Sequence, residues 1–143
     1  MSEWRTIVVG VDGSPGSRKA LTWAAAEAAE HRADLVVVNV WEHTLLPPVG
    51  SVSVSERYVP DPSQRTADDL LQVIKEELGE EPPVLVRPLV RQGSPAKVLI
   101  EESAGADMLV VGPRGHGGFA GLLLGSVSQH VSAYAKCTVA VIR

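Results

Sequence analysis

Valine and isoleucine fall in short unbroken runs along this chain, and the stretches between the runs carry apolar residues three and four positions apart. The first run is Thr6-Ile7-Val8-Val9-Gly10-Val11. A β-branched run with no polar alternation reads as a strand buried on both faces. Similar runs follow at Leu35 to Trp41, Val84 to Val90, Met108 to Val111 and Thr138 to Ile142. Leu21, Ala24, Ala25 and Ala28 fit one helical face, and Ala67, Leu70, Leu71, Ile74 and Leu78 extend another over three turns. Ala96, Leu99, Ile100 and Ser103 make a shorter helix, and Val127, Val131, Tyr134 and Ala135 a fourth. Ser14-Pro15 and Ser94-Pro95 each set an N-cap before a proline at the first helical position.

Strand and helix alternate through five strands and four helices. This alternation predicts a mostly parallel sheet with helices on both faces. Right-handed crossovers then leave few topologies, and a barrel would need eight units. An open doubly wound sheet is the expected fold, one domain spanning residues 1–143. The stretch from Glu42 to Pro62 carries no convincing element; it reads either as a mobile flap or as an idle insertion.

Composition narrows the function. The formal net charge of the 143-residue chain is −4, with Lys and Arg scattered, so nucleic acid is not an expected partner. A single cysteine, Cys137, allows no internal disulfide and fits a reducing cytoplasm. Met1-Ser2-Glu3-Trp4-Arg5 leads straight into the first strand and does not read as a signal peptide. No apolar stretch reaches the roughly 18 residues of a membrane span, so a cytoplasmic protein is expected.

In open α/β sheets, ligands bind beyond the carboxyl ends of the strands at the topological switch point. Two segments there carry chemistry: Gly10-Val11-Asp12-Gly13-Ser14 after the first strand, and Gly112-Pro113-Arg114-Gly115-His116-Gly117-Gly118 after the fourth. Six glycines lie in the fourteen residues from Gly112 to Gly125. Glycine lets backbone N–H groups approach an anion closely. Gly125-Ser126 opens the last helix, whose free N–H groups and positive dipole end favour phosphate. Ser126 could cap that helix or donate to phosphate, and Arg114 could pair with it. A connection without function is the competing reading of this glycine-rich segment. Asp12 has two readings of its own, a ribose or adenine contact and a cap for the following turn. No P-loop is present, and Gly115-x-Gly117-x-x-Ala120 is a weak dinucleotide match at the wrong strand.

The spacing Gly112-x2-Gly115-x9-Gly125-Ser126 resembles the ATP-binding signature of the universal stress protein family, G-2x-G-9x-G-[S/T]. Ile7 to Ser14 and Gly117 to Ser128 also resemble that family's first strand and its loop. The resemblance implies a Rossmann-like, adenine nucleotide alpha hydrolase-like sheet of order 3-2-1-4-5 with ATP between the first and fourth strands. Gly10, Val11 and Asp12 would contact adenine and ribose, and Val40, beside Asn39, would line the adenine pocket. Gly112, Gly115, Gly125, Ser126 and Val127 would hold the triphosphate, with a magnesium or manganese ion allowed beside it and no dedicated protein cage. His116, beside the loop, has two readings, a phosphate contact and, the favoured one, an exposed loop histidine.

Thr138 to Ile142 should form an apolar sheet edge, and the resemblance implies a homodimer through it. Two departures from the family pattern are Thr138 after Cys137, where proline is frequent, and Pro113, which removes one backbone N–H. The leading expectation is an ATP-binding regulator or sensor in stress response. The alternatives are a slow ATPase or autophosphorylating enzyme with Ser126 or Ser128 as acceptor, a cyclic-AMP binder, and a nucleotide-free dimerisation module.

Overall fold

The computed structural model describes residues 3–42, 62–113 and 125–143. Five strands and four helices alternate: β1 (Thr6–Gly10), α1 (Pro15–His31), β2 (Asp34–Trp41), α2 (Pro62–Leu78), β3 (Val86–Gln92), α3 (Pro95–Glu102), β4 (Met108–Val111), α4 (Ser126–Tyr134) and β5 (Thr138–Val141). All four strand pairings are parallel, and the order is β3-β2-β1-β4-β5. The expected fold is therefore present, with β1 central and the switch point between β1 and β4.

Successive strand residues face opposite sides of the sheet, so each valine run feeds two cores. Ile7, Val9 and Val11 pack with Leu21, Ala24, Ala25 and Ala28 of α1 and Leu70, Val73 and Ile74 of α2. Val8, Val38, Leu109 and Val111 pack on the other side with Ala96, Val98 and Leu99 of α3 and Val131 of α4. Each large aliphatic side chain buried this way contributes roughly 1.5–3 kcal/mol relative to exposure. The alanines of α1 are the small side chains that let this helix lie close to the central strands.

The two proline-led helix starts differ in detail. Ser14 Oγ accepts the Ser17 N–H at 3.3 Å, a true side-chain cap. Ser94 occupies the N-cap of α3 without a side-chain bond. β3 lies two residues later than the Val84–Val90 run suggests: Leu85 is exposed, and pairing with β2 carries the strand on to Gln92 opposite Trp41. At the other pole, Asp107 ties the starts of β1 and β4 together. Its Oδ2 accepts the N–H groups of Arg5 at 2.7 Å and Thr6 at 3.0 Å. Those two bonds hold its carboxyl below the ordinary carboxylate range.

Among the described residues, no helix is long and apolar enough to cross a membrane. The stretch read as flap or insertion lies, from residue 43 to 61, outside the described residues.

Candidate functional site

The β1–β2 ladder ends at Gly10 opposite Val38, with Val11 N–H donating to the Val38 carbonyl at 2.8 Å. β2 continues to Trp41 beside β3. In a parallel ladder, alternate residues turn their N–H and C=O to alternate neighbours. Asp34 and Val38 bond toward β1, whereas Leu35 and Trp41 bond toward β3. Val40 therefore presents its N–H and C=O to the β1 side, past the point where β1 has turned away, and the ladder supplies neither a partner. The Val11 carbonyl is instead taken by Asn39 Nδ2 at 2.8 Å. Among the described residues, the result is a short backbone edge, one donor and one acceptor, open at the carboxyl end of β2.

The turn after β1 is tightly built. Asp12 Oδ1 accepts the Ser14 N–H at 2.9 Å, and the Asp12 N–H donates to Ser17 Oγ at 3.2 Å. Of the two roles open to Asp12, the turn cap is thus present; the carboxylate sits exposed at the strand end. Gly13 has φ 86°, a conformation glycine adopts without strain.

Two expected site glycines have a packing reason. A Cβ on Gly112 would lie 2.9 Å from the backbone carbon of Gly16 and 3.0 Å from its oxygen. The end of β4 thus lies directly against the first turn of α1. A Cβ on Gly10 would lie 2.9 Å from Leu99 Cδ1, the movable tip of an α3 side chain.

The N-cap of α4 is Gly125, not Ser126, which occupies the first helical position. Ser126 therefore does not cap this helix. Gly125 has no side chain to cap with, so the first-turn amides of Ser126 and Val127 are left for other partners. Gly125 N–H donates to the Pro113 carbonyl, and Ser128 Oγ lies 2.8 Å from the same carbonyl and 3.0 Å from that of Gly125. Ser128 is buried and is the tie that joins the end of β4 to the start of α4. Its hydroxyl is turned inward, which removes it as an accessible phosphate acceptor in this conformation.

Gly10, Val11, Asp12, Val40, Gly112, Gly125, Ser126 and Val127 thus occupy the carboxyl ends of β1, β2 and β4 and the start of α4. Arg114, Gly115 and His116 lie outside the described residues. Asn39 and Ser17 are further participants, since they hold the Val11–Ser14 turn; a polar residue ending a valine run was the only sequence signal for Asn39. Among the described residues, no cluster of three His, Cys, Asp or Glu could hold a metal ion. A shallow groove of about 650 Å³ runs along the α1 flank between Lys19, Trp23, Glu77 and Ile142. It contains none of the expected site residues and is separate from this crevice.

The family model "Universal stress protein family" matches residues 3–143. A universal stress protein of Mycolicibacterium smegmatis is 37% identical over 138 residues, covering 96% of this chain and 45% of the relative. The chain thus spans about half the length of that relative. A universal stress protein of Thermus aquaticus is 33% identical over 142 residues, 98% of this chain and 99% of its own. The structure of UspA from Lactobacillus plantarum superposes with a TM-score of 0.78 at 21% identity, covering 100% of both chains. A universal stress protein solved in complex with cAMP superposes with a TM-score of 0.66 at 28% identity, covering 99% of this chain and 98% of its own.

Proposed function

Because the chain belongs to the universal stress protein family, we propose that it is an ATP-binding member acting as a regulator or sensor in stress response. The observation that carries this reading is the open backbone edge of Val40, facing the β1 side at the carboxyl end of the sheet. One N–H and one C=O side by side match the acceptor and donor on the Watson–Crick edge of adenine. Asp12 stands at the end of β1, where a ribose hydroxyl can meet its carboxylate. The amides of Ser126 and Val127, which no side chain among the described residues caps, have the positive end of α4 behind them and suit phosphate oxygens. Gly112, Arg114, Gly115 and Gly125 complete the phosphate-binding set in this reading. A magnesium or manganese ion bound with the nucleotide would neutralise phosphate charge there.

ATP is favoured over a monophosphate by the length of the glycine-rich segment, which runs fourteen residues from Gly112 to Gly125. The relative solved with cAMP makes cyclic AMP the second ligand to test. A regulator is favoured over a fast catalyst because Asp12, the carboxylate at the end of β1, lies at the nucleoside side and is engaged in its own turn. β5 is the sheet edge, and its apolar run is proposed to pair with a second copy of the chain.

Calorimetric titration of nucleotide-stripped protein with ATP and magnesium tests the reading, repeated on Gly115→Val and Gly125→Val. Saturable binding by the parent protein, lost in both folded variants, is expected. A parent protein that takes up neither ATP nor cAMP would sink it.

A further inference from the structure

The turn carrying Asp12 is held by four side-chain hydrogen bonds, two on the Val11–Asp12 peptide and two on the Gly13–Ser14 peptide. Asn39 holds the Val11 carbonyl, Ser17 the Asp12 N–H, and Asp12 itself the Ser14 N–H. The fourth holder is Arg18, whose Nε donates to the Gly13 carbonyl at 3.3 Å. Arg18 is the holder that reaches another helix. Its Nη1 lies 2.7 Å from Glu76 Oε2 and 3.2 Å from Glu77 Oε1, both in the last turn of α2. Gln72 Nε2 donates to Glu76 at 3.0 Å, and Thr22 Oγ1 lies between Glu77 Oε2 at 3.3 Å and the Arg18 carbonyl at 3.2 Å. The hydrogen bond from Arg18, with Gln72 in support, holds the Glu76 carboxyl below its ordinary range. A planar guanidinium can donate in several directions at once, whereas an ammonium on a flexible stem holds no such fixed fork.

We propose that Arg18 is a positioning residue of the nucleotide site, a strut that sets the Asp12 carboxylate by tying the Gly13 carbonyl to Glu76 and Glu77 of α2. This rests on the adenine-nucleotide reading above. Arg18 touches no ligand; it acts through the turn. An ion pair this exposed adds little to global stability, so its effect falls on the geometry of the turn rather than on the fold. The strut also makes the ribose side of the site sensitive to the placement of α2.

Two measurements on the full chain test it: affinities for ATP and for 2′,3′-dideoxy-ATP, and hydrogen exchange at the Asp12 and Ser14 amides without ligand. Arg18→Gln, Arg18→Lys and the Glu76→Gln/Glu77→Gln pair should each lower the preference for ATP over the dideoxy analogue by about fivefold. Each should also speed exchange at those amides while leaving the melting temperature nearly unchanged. Arg91→Gln is the control; it removes comparable surface ion pairs to Glu101 and Glu102 and should change neither readout. Variants at Arg18 that keep the parent's preference and protection overturn the strut while leaving the nucleotide site standing. A parent protein that binds neither nucleotide overturns the site reading and the strut with it.

Discussion

Gly112 and Gly10 show how a glycine can serve packing and a ligand site at one position. The backbone of α1 sits where a Gly112 side chain would begin, and backbone cannot swing aside as a leucine tip can. Gly112→Ala should therefore cost about 1–3 kcal/mol of stability in urea unfolding, the range for overpacking a filled site. Gly10→Ala should cost less, because Leu99 can turn away. Equal costs at both positions would mean that β4 and α1 have room to separate. From sequence, both glycines read as places where a ligand approaches the backbone. Their packing partners, Gly16 and Leu99, are distant in the chain and leave no local signal. The Asn39 bond to Val11, 28 residues away, was invisible for the same reason. Ser128 is the opposite case: a serine two residues past the signature serine reads as a phosphate acceptor until its burial is seen.

Among the elements, the short central strands were the most legible. Met108–Val111 coincides with its valine run because every residue there is buried, so apolarity and strand coincide. β3 lies at an edge of the sheet and is half exposed, so its apolar residues mark its limits less well. Helix starts were legible at Ser14 and at Gly125-Ser126, although at the second the cap is the glycine and not the serine. Asp107 joins two elements and carries a pH dependence. Its pKa is lowered in the folded state, so its stabilisation is present above the unfolded carboxylate value, about 4, and is lost as pH falls through the lower folded value. Asp107→Asn should lower stability at pH 7 by about 1 kcal/mol or less. Its difference from the parent should shrink in acid unfolding as pH falls below the unfolded carboxylate value, about 4. A constant difference across that range would assign the loss to packing.

For the molecule as a whole, the alternation of strand and helix fixed the sheet class, and the spacing of three glycines and a serine pointed to the family. The edge at β5 is where the second copy is proposed to join. Ile142 N–H donates inward to the Val111 carbonyl at 2.9 Å, so by alternation the N–H of Val139 points away from β4. Val139→Pro removes that outward donor and leaves the internal ladder intact. Sedimentation should then show a monomer where the parent sediments as a dimer. A variant that still dimerises would move the interface off this edge.

The most direct test of where the nucleotide lies is an amide-resolved NMR titration of labelled protein with ATP and magnesium. Shifts concentrated at Val40, Gly112, Gly125, Ser126 and Val127, with the opposite pole around Arg5, Thr6 and Asp107 silent, are the expected result. Shifts confined to the α1 flank around Lys19 and Trp23, or none at saturating ATP, would contradict the β1–β4 crevice as the binding site.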